Sequence, residues 1–146
     1  MHILVATDAD HVVNAVTDAL SGPDTSFTIC REGRLISDLV RERTPDLVLL
    51  DLQIGSKGGM AVTMDLRLDE SSGSLPTVKV LMLLDRQADV HLARRSAADA
   101  WLVKPFTPLD LKRAVRNVLN PPDDTADVAR VALPAESIEE EAPVAG

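Results

Sequence analysis

The sequence predicts an α/β fold: a doubly wound parallel sheet of five strands with helices on both faces. Three observations predict it. Apolar runs of strand length alternate five times with segments of helical period over about the first 120 residues. The run Leu47-Val48-Leu49-Leu50 is apolar at every position, as a strand covered on both faces must be. Asp8, Asp51 and Lys104 each stand just past the end of such a run, where the ligand sites of open parallel sheets lie.

Each element has its own justification. His2 to Ala6 reads as the first strand. Asp10 is placed to cap a helix that turns Val12, Val13, Val16, Ala19 and Leu20 inward. Ser21-Gly22-Pro23-Asp24 is a turn, and Ser26 to Cys30 a second strand. Leu35, Ile36, Leu39 and Val40 recur at helical spacing until Thr44-Pro45 ends the helix. Asp46 to Asp51 is the third strand, expected at the centre of the sheet. Gly55 to Gly59 is a loop; the helix after it is expected to turn Met60, Ala61, Met64 and Leu68 inward, and Glu70 to Pro76 to be a polar connection. Val78 to Leu84 is the fourth strand, Asp89 to Ala97 a short helix and Ala100 to Val103 the fifth strand. Thr107 caps the last helix, with Pro108 at its first position and Asp110 three residues after the cap. Leu111, Ala114, Val115 and Val118 line its inner face, and Pro121-Pro122 stops it. The remainder is rich in Ala, Pro, Asp and Glu and has no amphipathic period. The chain therefore divides into one domain, residues 1–120, and a disordered acidic tail, residues 121–146.

Composition narrows the function. Apolar residues make up 45% of the chain, but the aromatics are only Phe27, Trp101 and Phe106, so the core is aliphatic. The formal charge of −8 argues against direct nucleic-acid binding. Its distribution is uneven: residues 86–120 carry seven Lys/Arg against three Asp/Glu, and residues 121–146 one against seven. Cys30 is alone, so no internal disulfide forms, and a buried inert thiol suits a reducing cytosol. No apolar run reaches the roughly 18 residues of a membrane span, and no signal-peptide pattern opens the chain, so a cytoplasmic location is expected.

The chemistry lies at the strand ends. Two carboxylates, Asp8 and Asp51, and one ammonium, Lys104, brought to one rim suit a phosphoryl group bound through a divalent cation, with Asp51 as acceptor. Gly55 to Gly59 lacks the spacing of a phosphate-binding loop. His2, His11 and His91 show no metal-ligand spacing. No Ser, Cys or His suggests a nucleophile with its base, so an enzyme is not expected.

These residues, in this order, resemble the receiver domain of two-component response regulators. The resemblance covers residues 1 to about 120. It rests on Ile3-Leu4-Val5-Ala6-Thr7-Asp8, Pro45-Asp46-Leu47-Val48-Leu49-Leu50-Asp51-Leu52, Gly59, and Trp101-Leu102-Val103-Lys104-Pro105-Phe106. It implies the flavodoxin-like receiver fold of strand order 2-1-3-4-5. It also implies phosphorylation of Asp51 by a histidine kinase or phosphotransfer protein. Mg²⁺ would be held by Asp8, Asp51 and the backbone carbonyl of Gln53. Lys104, before a cis Pro105, would pair with the phosphoryl group, and Trp101 would stand at the switch-aromatic position. The partner face implied is helix four, strand five and helix five, with homodimer formation as an option.

Three departures qualify the resemblance. Thr7 replaces the first of two adjacent acids, which weakens the Mg²⁺ site; Asp10 is the nearest substitute but is expected only to cap. Strand four ends in Met82-Leu83-Leu84, the candidates for the switch position, with Leu84 taken for it; none has the usual hydroxyl, and Asp85 follows with negative charge. Ala97 stands where the family has glycine, so a differently shaped helix end is expected. The expectation is an atypical, stand-alone regulator that signals by protein contact. Its rival is a phosphate-independent pseudo-receiver acting as an adaptor or scaffold. Arg86, Arg94, Arg95, Lys112, Arg113 and Arg116 form a basic cluster on the last two helices, which the acidic tail is expected to screen.

Overall fold

In the computed structural model, which describes residues 1–121, the strands are β1 (His2–Ala6), β2 (Ser26–Cys30), β3 (Leu47–Asp51), β4 (Lys79–Leu84) and β5 (Ala100–Val103). The helices are α1 (Asp10–Leu20), α2 (Ile36–Glu42), α3 (Gly59–Ser72), α4 (Val90–Arg95) and α5 (Pro108–Leu119). Single 3₁₀ turns at Gly33–Leu35 and Gln87–Asp89 lead into α2 and α4. The expected acidic tail, apart from Pro121, lies outside the described residues. All pairings are parallel, in the order β2-β1-β3-β4-β5, with β3 central as expected. Among the described residues no helix is long and apolar enough to cross a membrane.

Strand alternation sends side chains to two cores. Leu4, Val48, Leu50, Val80, Met82 and Trp101 pack under α2, α3 and α4, while Ile3, Val5, Leu47, Leu49, Leu81 and Leu102 pack under α1 and α5. Leu47, Val48, Leu49 and Leu50 are all 0% exposed. Each contributes about 1.5–3 kcal/mol of apolar burial. The α5 start follows its sequence: the Thr107 hydroxyl accepts from the Asp110 N–H and the Asp110 carboxylate from the Thr107 N–H, both at 3.0 Å.

Several local expectations are corrected. Asp10 does not cap α1; Ala9 holds the cap position, and Asp10 is the first helical residue, paired with Arg31 at 2.6 Å on the surface. The phase of α3 is turned. Gly59, Val62, Thr63 and Leu66 face inward, Met60 is partly buried, Ala61 is exposed, and Met64 and Leu68 are 48% and 67% exposed. The helix also runs on to Ser72, past the expected start of the connection at Glu70. Leu35 is exposed, leaving Ile36 and Val40 to anchor α2.

Ala97 keeps the left-handed turn after α4, with φ 67°, so the helix end is not reshaped as expected. The turn is over-determined. The Ala98 N–H donates to Ala93 O at 3.1 Å, and Arg67 Nε donates to Ala97 O at 2.9 Å. Arg67 also donates to Val78 O and pairs with Glu70 and Asp99, which ties α3 to the β4 and β5 entrances. Alanine carries a steric penalty in this conformation that glycine lacks. Ala97→Gly should therefore stabilise the domain by about 0.5–1 kcal/mol after its larger unfolded-state entropy is counted. An unchanged or lower denaturation midpoint would contradict that.

Candidate functional site

Parallel strands deliver their C-terminal ends to one rim. Asp51 is the last residue of β3; Thr7 and Asp8 follow β1, Asp85 follows β4 and Lys104 follows β5. The register brings neighbours together: Ala6 is opposite Leu50, so Thr7 comes beside Asp51, and Leu84 is opposite Val103, so Asp85 comes beside Lys104. This rim spans the β1–β3 position, where the strand order reverses and the crevice of such sheets opens.

Asp51 sits at its centre, 3% exposed. Lys104 Nζ donates to Asp51 Oδ1 at 3.0 Å and to Oδ2 at 3.1 Å. The Thr7 hydroxyl donates to Oδ2 at 2.8 Å, and the Gln53 N–H donates to Oδ1 at 3.2 Å. A buried carboxylate is thus matched by one cation and two neutral donors, as burial of charge requires. Asp8 is exposed, and its Oδ2 accepts from the Gly55 N–H at 2.9 Å. Lys104 also pairs with Asp85 Oδ1 at 2.9 Å. Burial by itself would lower the Lys104 ammonium. The hydrogen bonds and charges of Asp85 and Asp51 outweigh it and raise the group above the usual lysine value, so it stays protonated.

The side chains fit a hard divalent cation in kind, with oxygen donors and two carboxylates, Asp8 and Asp51, on one rim. They are one charge short. Thr7 is fully buried with its hydroxyl committed to Asp51, and Asp10 is turned away to Arg31. Among the described residues no three His, Cys, Asp or Glu side chains form a metal-holding group.

Leu84 ends β4 fully buried, and Trp101 lies in the same core cluster, 2% exposed. The Trp101 ring is enclosed. Its Nε1 has no hydrogen-bond partner, and the Arg94 guanidinium lies 5.4 Å from the ring centroid. The Lys104–Pro105 peptide is cis. Cys30 is buried, and that burial pushes its thiol up, which suits an inert role.

The basic cluster is divided. Arg86 pairs with the buried carboxylate of Asp89, and Lys112 lines a cavity of about 270 Å³ with Ala15 and Asp18 of α1. Arg94, Arg95, Arg113 and Arg116 remain exposed, with no ion pair among the described residues. Two features were not legible as contacts: the Thr7 bond to Asp51 and the Asp85 bond to Lys104. The signal that finds both is strand register, which pairs each residue just past one strand with a residue at the end of its neighbour.

The model of the family described as the response regulator receiver domain matches residues 3–116. The chain belongs to that family. The DNA-binding response regulator MtrA of Mycobacterium tuberculosis (strain H37Rv) is 35% identical to it over 122 residues, which is 84% of this chain and 52% of that protein. The chain spans about half the length of such mycobacterial relatives. The polar-differentiation response regulator DivK of Brucella ovis is 33% identical over 87 residues, 60% of this chain and 68% of that one. Among solved structures, the BeF₃-activated receiver domain of Klebsiella pneumoniae RstA superposes with TM-score 0.71 at 24% identity, covering 82% of this chain and 99% of that one. The chemotaxis response regulator CheY4 of Vibrio cholerae gives TM-score 0.70 at 19% identity, covering 80% and 97%. These likenesses show the receiver fold, with its five parallel strands in the order 2-1-3-4-5. The chain is a receiver domain of two-component signalling.

Proposed function

We propose that this receiver accepts a phosphoryl group on Asp51 from a phosphohistidine of a histidine kinase or phosphotransfer protein, and signals by protein contact. One observation carries the reading: the Asp51 carboxylate lies at the centre of the rim with both oxygens held by Lys104. In the transfer, an Asp51 oxygen forms a new P–O bond. The donor's P–N bond breaks, and its electron pair returns to the imidazole nitrogen. Little covalent help is needed; positioning and charge neutralisation dominate. Thr7, Gln53 and Lys104 orient the carboxylate, and Lys104 offsets charge on the phosphoryl oxygens. Asp8, Asp51 and the Gln53 carbonyl are the groups that would hold Mg²⁺, which when bound supplies the remaining positive charge on the phosphoryl oxygens. Thr7 leaves that site weaker than one with three acids.

With no hydroxyl at Leu84, the readout runs through Lys104 and the enclosed Trp101. The exposed arginines of α4 and α5, Arg94, Arg95, Arg113 and Arg116, suit an acidic protein partner. Regulated contact, not catalytic turnover, is the role these parts support.

The test is intact-mass measurement after incubation with a small acyl phosphate and Mg²⁺. The expected result is a gain of one phosphoryl group that disappears in Asp51→Asn. No gain under any donor or Mg²⁺ concentration would leave the chain a phosphate-independent binding module.

A further inference from the structure

The Lys104 ammonium has three N–H donors. Two carboxylates already claim it: Nζ donates to both Asp51 oxygens, at 3.0 and 3.1 Å, and forms an ion pair with Asp85 Oδ1 at 2.9 Å. A phosphoryl group arriving at Asp51 therefore meets an ammonium shared between two carboxylates. Its arrival changes only one of the two claims on Lys104. Asp51, converted to an acyl phosphate, loses its carboxylate charge and releases its share. Asp85 stays a carboxylate and keeps its own.

The sheet builds this competition. The Lys104 N–H donates to Leu84 O at 2.7 Å, which locks the residue after β5 beside the end of β4. Leu84 offers no side-chain donor to a phosphoryl oxygen, and the next residue offers a carboxylate. The Asp85 side chain is 45% exposed and the Lys104 side chain 20%, so the pair is partly screened but not dissolved by water.

We infer that Asp85 is a positioning residue that withholds Lys104 from the incoming phosphoryl group and so slows phosphoryl acceptance at Asp51. The inference rests on the reading of Asp51 as acceptor. Removing the charge does not strand Lys104, because both Asp51 oxygens still hold it. Nor does it unfold the rim, because Asp85 is exposed and Asn keeps its shape.

The experiment compares Asp51 labelling rates for the parent chain, Asp85→Asn and Asp85→Glu, with a small acyl phosphate and saturating Mg²⁺. Asp85→Asn should label about tenfold faster, since a like charge beside a developing dianion is removed. Asp85→Glu should keep the parent's slow rate. The advantage of Asp85→Asn should shrink as salt rises, which a merely structural role would not produce. Equal or slower labelling of Asp85→Asn beside a labelled parent overturns the role of Asp85 and leaves the acceptor intact. Labelling of Asp85→Asn alone supports the role of Asp85 while removing acceptance from the native chain. No labelling of any variant removes both readings.

Discussion

Replacing Gly33 with alanine is expected to destabilise the domain by about 3 kcal/mol or more, as overpacking against backbone does at its upper end. An added Cβ would lie 1.8 Å from the Lys57 carbonyl oxygen and 2.8 Å from its carbon. Those are backbone atoms, which no rotamer change moves aside. The Gly33 N–H donates to Gly55 O at 2.9 Å, and the Gly55 N–H in turn holds the Asp8 carboxylate. The clash is therefore transmitted to the rim, and weaker Mg²⁺ binding should accompany the lower stability. Gly22→Ala is the control, because its Cβ meets only Thr25 Oγ1, at 3.8 Å, and its effect should stay within about 0.5 kcal/mol. Urea denaturation of both variants settles the matter; equal shifts would contradict the backbone clash.

Lys104→Ala is expected to slow Asp51 labelling about 100-fold, the scale of losing a preorganised charge at a phosphoryl-transfer site. It should also lower stability. Asp51, 3% exposed, would keep only the Thr7 hydroxyl and the Gln53 N–H. Losing the cation from a largely buried pair costs roughly 2–3 kcal/mol after allowance for the partial exposure of Lys104. Adding Asp51→Asn should recover much of that stability and none of the labelling, because a neutral amide needs no ammonium. This rate effect is opposite in sign to that of Asp85→Asn, although both substitutions break contacts of one ammonium. Loss of rate in both would mean that Asp85 serves only to hold Lys104 in place.

Much of the fold was legible because its signals are local. Apolar runs, the Ser21–Asp24 turn and the Thr107-Pro108-x-Asp110 cap each concern a few adjacent residues, and each appears where expected. The failures have a common cause. Helix α3 carries two apolar stripes, Val62 and Leu66 on one side and Ala61, Met64 and Leu68 on another, and periodicity cannot choose between them. Gly59 chooses: its missing Cβ lets the helix start against β3, where a Cβ would come 2.8 Å from Asp51 O and Leu52 Cα. Asp10 is a good cap by type, but Arg31 beyond β2 pairs with it on the surface. Alanine is a poor left-handed residue by type, but Arg67 and the α4 carbonyls hold Ala97 there.

The candidate site divides in the same way. Asp8, Asp51 and Lys104 were legible because each punctuates an apolar strand, and a parallel sheet sends every such punctuation to the same rim. Thr7 looked only like a missing acid and Asp85 only like an unhelpful charge. Their contacts depend on which strands are neighbours and in what register.

By itself, then, the chain's sequence determined the order of strands and helices, the burial of β3 and the identity of the groups at the rim. Those follow from side-chain polarity read a few residues at a time. Only the tertiary structure decided the phase of α3, the donor from Thr7 to Asp51 and the sharing of Lys104 between Asp51 and Asp85. Each of these is a contact between residues far apart in sequence, set by strand pairing and close backbone approach, and no local pattern carries that information.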